Sequence, residues 1–375
     1  MKASKMVGRA GKAAFLTMTM SLAFLVTACG SNSAAGTPSS NQTASTTAPT
    51  QTASTESAPT QTASTESAPT PKSDKLTVYV AGPGKMAAQI KEGFEAKSGI
   101  KIEQFDGTTG KILARLEAEK SNPVADVVIL ASWPSGLSLK EQGLTQSYAD
   151  AQHADKLYDT WVDQDKHLFG YSASALGITY NTKLVSNPPA DWADLTKPEW
   201  KGAVNIPDPS LSGSALDFIS GYLNENGDGG WTLFKSLKAN DVALAGANKE
   251  ALDPVITGAK SVVMAGVDYM AYEAMAKGEH IDITYPASGT VINPRPAMIM
   301  KDAKNLENAK LFMDYLLSDE AQKIVADSYL LPGRTDIPAH ESRTQVKEIK
   351  ELKYDWNWMT EKGPAITSEF LGIFK

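Results

Sequence analysis

Strand-like and helix-like segments alternate between residues 76 and 132, and this order constrains the fold more than any other feature of the sequence. The strand-like segments are LTVYVAG (76–82), IKIEQFDG (100–107) and ADVVILAS (125–132). The helix-like segments between them, each with one apolar face, are MAAQIKEGFEAKSG (86–99) and TTGKILARLEAEK (108–120). A β-α-β-α-β order predicts a mainly parallel sheet with helices on both faces. We therefore expect an α/β fold whose ligands lie beyond the carboxyl ends of the strands.

The rest of the chain repeats this alternation and then returns to the first sheet. ALGITYNTKLV (175–185) predicts a strand that leaves the first lobe, and GAVNIPDP and KSVVMAGV predict short strands of a second lobe. NLENAKLFMDYLLSDEAQKIVA (305–326) predicts a helix or a helix pair. The predicted division places lobe 1 at 75–178 and 297–375, and lobe 2 at 179–296. Two lobes joined by hinge crossings enclose a cleft, which is a natural ligand site.

The first 29 residues predict export. Lysines and an arginine precede an apolar run at 13–26, and Val-Thr-Ala-Cys follows at 26–29. The run is too short to span a bilayer easily. The pattern resembles the signal of bacterial lipoproteins, so residues 1–28 are predicted to be a removed signal peptide and Cys29 to be lipidated. Cys29 is the only cysteine, which excludes an internal disulfide. A soluble protein with a chance Ala-Cys pair is the alternative.

A tether is predicted at residues 29–74. After the cysteine this stretch is almost entirely small and polar, and it contains two copies of QTASTESAPT at 51–60 and 61–70. No large apolar side chain offsets the entropy of ordering the backbone, so we expect a disordered spacer. Loss of the signal removes four cations and changes the formal net charge from −7 to −7 − 4 = −11. An acidic chain without a basic stripe argues against a nucleic-acid partner.

Small and hydroxyl residues stand where predicted strands end and predicted helices begin. Ser-Gly-Ser at 212–214 precedes one apolar helical pattern, and Thr-Thr-Gly at 108–110 opens another. The first turn of a helix has unpaired N–H groups and partial positive charge, so such an entry either caps its own helix or cradles an anion. Taken alone, either entry fits both interpretations. The candidate ligand-binding residues at these places are Gly84, Thr108, Thr109, Gly110, Ser132, Trp133, Ser212, Gly213 and Ser214.

The sequence gives little support to an enzyme. Its four histidines lack metal-ligand spacing, and it contains no GxSxG or HExxH motif and no GxxxxGK[ST] loop for ATP. Paired carboxylates for glycoside cleavage stay open, because the fold sets their separation. A surface adhesin that uses the tether as a stalk is another alternative.

Seven segments together resemble a known family in their order and spacing. They are ADVVILAS, ITYNTKL, DPSLSGSA, GVDYMAYEAMAKGE, YPASGT, NLENAKLFMDYLLSDEAQ and LPGRTDIP. The resemblance is to the type II solute-binding proteins of ABC importers, in the branch that includes ferric-iron, phosphonate, sugar-phosphate, thiamine and polyamine binders, and it spans residues 75 to 340.

This resemblance implies a two-lobed protein that closes on a solute and delivers it to a membrane permease driven by a separate ATPase. It implies no cofactor and a monomer. Together with the lipoprotein signal and the tether, it implies a Gram-positive-like lipoprotein anchored at the extracellular face of the membrane.

The resemblance leaves two ligand classes. Ferric members hold their metal through adjacent tyrosines, whereas AGVDYMAYEAM separates Tyr269 and Tyr272 by three positions. The alternative iron set is Tyr180, Tyr269, Tyr272 and Tyr285. An anionic solute such as a sugar phosphate or a phosphonate is the favoured ligand, because phosphate oxygens need several convergent N–H and O–H donors.

Further residues are expected around such an anion. Ser288, Gly289 and Thr290 form a third donor loop in YPASGT. Asp268 is expected to accept from an amine or a sugar hydroxyl, and Tyr269 or Trp133 to cover an apolar side. Arg295 and Arg334 can complement the charge, although structural roles are favoured for both.

Overall fold

The structure is a computed structural model, and it describes residues 74–375. The predicted signal peptide, Cys29 and all but the last residue of the predicted tether lie outside the described residues. Within residues 74–375, no helix has the length and the apolar character that a membrane crossing requires.

Eleven strands and ten α-helices form the described chain, apart from short 3-10 turns. The strands are β1 (Lys75–Val80), β2 (Lys101–Asp106), β3 (Val127–Ile129), β4 (Thr145–Gln146), β5 (Phe169–Asn181), β6 (Val204–Ile206), β7 (Ala243–Leu244), β8 (Val262–Val267), β9 (Ile281–Thr284), β10 (Ile292–Met300) and β11 (Leu331–Pro332). The helices are α1 (Gly84–Ser98), α2 (Thr109–Ala118), α3 (Trp133–Glu141), α4 (Gly213–Asn226), α5 (Gly230–Ala239), α6 (Asn248–Ile256), α7 (Asp268–Ala276), α8 (Leu306–Leu316), α9 (Asp319–Asp327) and α10 (Trp356–Phe374).

Two groups of parallel strands are joined through a pair of long antiparallel strands. The order is β2-β1-β3-β10-β5-β8-β6-β7, with β4 on β10 and with β9 and β11 on β5. Strand β1 is parallel to β2 and β3, and β6 is parallel to β7 and β8. The beginning of β5 pairs with β10, whereas its end pairs with β8 and β9. The predicted α/β fold with two mainly parallel halves joined at a hinge is confirmed.

Separate apolar clusters fill the two halves. One lies around Val78, Ile129 and Phe312, and another lies around Ile206, Phe218 and Val262. Helices α8 and α9 form the predicted pair, in which Ser318 caps α9 by accepting from the amide of Ala321. The halves therefore have their own cores, as the alternating sequence pattern indicates.

The C-terminal helix differs from the expectation. The sequence places 297–375 in lobe 1, whereas the buried side chains Ile366, Phe370 and Phe374 belong to the cluster of the second half. The helix also reaches the first half, where Thr360 Oγ1 lies 3.5 Å from the carbonyl oxygen of Pro134 on α3. The pattern of an amphipathic helix shows which face is buried, but it does not show which core receives that face. The other lobe boundaries stay a prediction.

Candidate functional site

The N-terminal ends of five helices meet at one cleft of about 400 Å³. Helices α1 and α2 come from the first half of the molecule, and α4, α6 and α7 come from the second. Seven of the candidate ligand-binding residues line this cleft: Gly84, Thr108, Thr109, Ser212, Gly213, Ser214 and Tyr269. The sequence patterns at helix entries therefore identify residues that the fold brings together from distant parts of the chain.

The entries of α2 and α4 touch each other across the cleft. A Cβ atom built at Gly213 would lie 2.7 Å from Thr109 Oγ1 and 2.8 Å from the carbonyl oxygen of Ala131. A Cβ built at Gly110 would collide with the carbonyl oxygen of Ser210. Both glycines therefore lie where the two halves touch, and the lack of a side chain at each permits this close approach. The described chain is in a closed arrangement.

The hydroxyl groups of these entries are engaged as caps and bridges. Ser212 Oγ accepts from the amide of Ala215 at 3.2 Å and donates to Asn248 Oδ1 at 2.9 Å. Ser214 Oγ accepts from Asn248 Nδ2 at 3.0 Å, which ties the entry of α4 to the entry of α6. Thr109 Oγ1 accepts from the amide of Ala131 at 3.1 Å. The predicted capping role is therefore present at the same residues that line the cleft.

Backbone donors remain at the two facing entries. In the described chain the amides of Gly213 and Ser214 make no hydrogen bond, and neither do the amides of Thr109 and Gly110. These groups carry the partial positive charge of the helix ends. Capping by the hydroxyls therefore leaves amides at the facing entries for an anion.

Arg295 brings a full positive charge to the same cleft. It lies on β10 with 2% of its surface exposed, and its Nη1 donates to the carbonyl oxygen of Ala81 at 2.7 Å. Its guanidinium carbon lies 5.3 Å from the ring centre of Tyr269. Burial raises the pKa of the Tyr269 phenol even though the Arg295 charge acts in the opposite direction. Among residues 74–375, no carboxylate forms an ion pair with Arg295, and its Nε has no hydrogen-bond partner.

Ser132 and Trp133 lie outside the cleft and join the two halves directly. Ser132 Oγ donates to Asp217 Oδ1 at 2.7 Å, and the amide of Trp133 donates to Asp217 Oδ2 at 3.2 Å. Asp217 is fully buried on α4, and burial raises the pKa of its carboxyl well above the usual range. The expected ligand contacts of Ser132 and Trp133 are therefore not supported, because their donors are used between the halves.

Asp268 is also excluded from the cleft by its partners. It is fully buried, and its carboxylate accepts from Arg343 Nη2 at 2.6 Å, from the Tyr285 hydroxyl at 3.0 Å and from the amide of Tyr269 at 2.8 Å. These contacts satisfy the carboxylate, so the expectation that Asp268 accepts from a solute is not supported. The residue instead anchors the segment around Arg343 to α7.

The expected third donor loop lies elsewhere in the second half. Ser288 Oγ donates to Asp191 Oδ1 at 2.6 Å, and Thr290 Oγ1 donates to the carbonyl oxygen of Leu176 at 2.6 Å. Gly289 has a φ of 115° and accepts from Trp192 Nε1 through its carbonyl oxygen. This loop uses its donors to hold neighbouring segments, which the local sequence does not reveal.

The four tyrosines of the alternative iron set do not form one cluster. Tyr269 lines the cleft, whereas the Tyr180 hydroxyl donates to Asp282 Oδ2 at 3.1 Å. The hydroxyl oxygens of Tyr272 and Tyr285 lie 3.3 Å apart and face Thr344 and Asp268. Burial raises the pKa of Tyr180 to about 12 and that of Tyr285 well above its ordinary value, which opposes the phenolate form that binds ferric iron.

Two further residues line the cleft: Asn248, which the sequence analysis does not identify, and Arg295, for which it favours a structural role. Asn248 opens α6 within GANKEALDP, which is another small-residue entry before an apolar pattern. Arg295 stands in the otherwise apolar segment INPRPAMIM. A charge inside a buried strand is the signal that points to a site, because burial of an unpaired charge is costly. Arg334, by contrast, is held by Asp319 and Asp336, in agreement with the structural role favoured for it.

The fold and the cleft define a type II binding protein, in which two α/β halves close around a small solute. Residues 122–362 match the bacterial extracellular solute-binding protein family, and the chain belongs to this family. It is the extracellular solute-binding component of an ABC importer, which works with a membrane permease and an ATPase.

Relatives of this chain are named for different solutes. A putative 2-aminoethylphosphonate-binding periplasmic protein of Salmonella paratyphi A is 26% identical over 282 residues, which are 71% of this chain and 80% of the relative. Iron uptake protein A1 of Synechocystis is 25% identical over 288 residues, which are 73% of this chain and 79% of the relative.

Among solved structures, the periplasmic binding protein AfuA from Actinobacillus pleuropneumoniae, with exogenous fructose-6-phosphate bound, superposes with a TM-score of 0.74 at 23% identity. The superposition covers 80% of this chain and 98% of that one, and it supports the fold alone.

Proposed function

We propose that the cleft captures a small solute with an anionic oxygen group, such as a sugar phosphate or a phosphonate. The observation that carries this proposal is Arg295, a buried cation without a carboxylate partner in the described chain. An oxyanion supplies the missing negative charge and accepts from the free amides at the entries of α2 and α4. Phosphonate-binding and iron-uptake proteins are both among the relatives, so the ligand class needs a direct test.

Thermal melting against a panel of solutes tests the ligand class. We expect inorganic phosphate, a hexose phosphate or a phosphonate to raise the melting temperature, because a ligand at 100 times its dissociation constant stabilises the folded form by about 2.7 kcal/mol. Ferric citrate serves as the competing probe. Stabilisation by ferric ion alone, with no response to any phosphorus oxyanion, contradicts the proposal.

The protein is proposed to bind its solute without converting it. Family membership supports this role. Incubation with a chromogenic phosphate ester or a glycoside should release no product. Release of product by an activity that co-purifies with the protein would instead indicate a hydrolase.

The mature protein is proposed to be a monomer held at the outer face of the membrane through lipid on Cys29. The signal-like start and the single cysteine support this anchoring. Cys29→Ala should move the protein from the membrane fraction to the medium. Unchanged membrane association in that variant contradicts lipidation.

A further inference from the structure

The hinge strands place four polar side chains on one face of the sheet. Strands β5 and β10 are antiparallel, with Ser172 opposite Arg295 and Ser174 opposite Asn293. Side chains of directly opposed residues point to the same face and have Cβ atoms about 4.5–5.5 Å apart. Because Arg295 lines the cleft, this face is the one that the hinge turns toward the cleft. We call these four residues the hinge floor.

Every member of the hinge floor has a buried polar atom without a hydrogen-bond partner. These atoms are Ser172 Oγ, Ser174 Oγ, Asn293 Oδ1 and Arg295 Nε. In the described chain only one other side-chain atom, Ser220 Oγ on α4, has the same status. An unsatisfied buried polar group costs about 1–3 kcal/mol, so four of them at one place indicate a functional demand.

The chemistry of these atoms specifies what they need. Asn293 Nδ2 donates to the carbonyl oxygen of Ala131 at 2.9 Å, which fixes the orientation of the amide. Its Oδ1 therefore requires a hydrogen-bond donor, whereas Arg295 Nε requires an acceptor. The two serine hydroxyls are able to serve either role. The phosphate group of a dianionic monoester offers acceptors alone, so that group satisfies Arg295 but not Asn293.

The charge of Arg295 selects among possible donors. An ammonium group placed beside a buried guanidinium is repelled, and this repulsion is strong where water is excluded. A neutral hydroxyl donates to Asn293 without that cost, and it exchanges hydrogen bonds with Ser172 and Ser174. The hinge floor is thus suited to hydroxyl groups that lie close to an oxyanion.

We propose that the hinge floor is a hydroxyl-binding subsite and that the solute is a phosphorylated sugar or polyol. This inference rests on the proposed function, because it places the oxyanion at Arg295 and the helix entries. The four atoms are sealed in the closed arrangement, so the solute reaches them when the lobes part at this hinge. The subsite distinguishes a sugar phosphate from an aminoalkylphosphonate and from inorganic phosphate.

Calorimetric titration of the double variant Ser172→Ala, Ser174→Ala tests the subsite. The probes are glucose 6-phosphate, 2-aminoethylphosphonate and inorganic phosphate. The parent should bind glucose 6-phosphate at least tenfold more tightly than the other two. The double variant should lose about tenfold in affinity for glucose 6-phosphate, which is the expected scale for one or two lost hydrogen bonds. Its affinity for inorganic phosphate should change by less than about twofold, since the oxyanion contacts remain.

The melting temperature of the double variant distinguishes a ligand-binding role of Ser172 and Ser174 from a structural role. The melting temperature of the ligand-free double variant should stay the same or rise, because the removed hydroxyls have no partner to lose. Ser220→Ala is the matched control, and it should leave all affinities unchanged. Equal affinities of the double variant and the parent for glucose 6-phosphate would overturn the proposal, as would tighter binding of 2-aminoethylphosphonate by the parent.

The outcomes also separate this inference from the proposed function. Similar binding of inorganic phosphate and glucose 6-phosphate by the parent overturns the hydroxyl subsite and leaves oxyanion binding intact. Absence of binding by all three probes, together with binding of ferric citrate, overturns both.

Discussion

Arg295 and Arg334 are both nearly fully buried, but their surroundings differ in charge. Arg334 forms ion pairs with Asp319 at 2.7 Å and with Asp336 at 2.8 Å. Arg295 has a carbonyl oxygen and an aromatic ring beside it, and no ion pair in the described part of the chain. The charge of Arg334 is therefore neutralised by the protein, whereas the charge of Arg295 has no carboxylate partner within residues 74–375.

Replacement of Arg295 by methionine should separate binding from stability. We expect the affinity for inorganic phosphate to fall by roughly ten- to a hundredfold, because a hydrogen bond to a charged group contributes about 1.5–3 kcal/mol. The free energy of unfolding of the ligand-free protein should change little, since the variant removes an unpaired buried charge. Titration calorimetry and urea unfolding measure the two effects.

Arg334→Met is the matched control for this variant. It removes the cation that pairs with Asp319, one of the two cations that pair with Asp336, and the donor to the carbonyl oxygen of Leu317. The variant should therefore lower the free energy of unfolding and leave the affinity of the folded protein unchanged. A reversed pattern, with binding lost at Arg334 and retained at Arg295, would contradict the assignment of the two charges.

The serine entry of α4 predicts a mixed effect. The double variant Ser212→Ala, Ser214→Ala removes the cap and the contacts to Asn248, which should lower the free energy of unfolding by about 1–2 kcal/mol. The free energy of binding an oxyanion should fall by more than this loss of stability, because the entry of α4 is no longer held against α6. Ser318→Ala removes a cap outside the cleft and should lower stability alone. Identical behaviour of the two variants would indicate a capping role only.

Helices α3 and α4 carry a contact that belongs to the closed arrangement. Asp217 on α4 accepts from Ser132 Oγ and from the amide of Trp133 at the beginning of α3, and it has no cationic partner in residues 74–375. Burial raises the pKa of this carboxyl. When the lobes part, the carboxyl meets water and its pKa returns toward the ordinary value of an aspartate.

This contact predicts a pH dependence of lobe closure. The closed form binds the Asp217 proton more tightly than the open form, so closure is favoured most below the ordinary aspartate pKa. The advantage is lost as the pH rises from about 4 through the raised pKa. Small-angle scattering of the ligand-free protein across this range should show opening. Asp217→Asn should remove the dependence, and an unchanged pH profile in that variant would contradict it.

The C-terminal helix α10 predicts a large packing effect. Phe370 is fully buried, with its ring centre 5.3 Å from that of Phe234 and 4.5 Å from that of Phe374. Phe370→Ala should lower the free energy of unfolding by about 3–5 kcal/mol. Leu311→Ala, at a position that is 51% exposed, is the control and should change it by less than about 0.5 kcal/mol. Equal effects in urea unfolding would show that α10 does not belong to this core.

Elements were predictable from the sequence where local patterns determine them. The first three strands and the first two helices follow from apolar periodicity, and Gly99 ends α1 in a left-handed conformation as its position indicates. The docking of α10 was not predictable, because it depends on which distant core accepts its apolar face. The same limit applies to Asp268, whose partner Arg343 is 75 residues away in the chain.

At the scale of the whole molecule, the site is formed by the arrangement of helix ends around the hinge strands. Entries that the sequence already marks, at Thr109 and Gly213, come from opposite halves and meet at one point. The role of Arg295 could not be inferred from the sequence alone. The sequence shows a charged residue, but it does not show whether a carboxylate lies beside it in the fold. The proposed oxyanion site thus combines a pattern that the local sequence shows with a buried charge whose lack of a carboxylate partner only the structure shows.

A crystal structure of the protein with glucose 6-phosphate tests this account most directly. We expect the phosphate group between the entries of α2 and α4, with its oxygens in hydrogen-bonding distance of the Gly213 amide and the Arg295 guanidinium. A phosphate bound away from these groups, or a cleft closed on ferric ion by tyrosine hydroxyls instead, would contradict it.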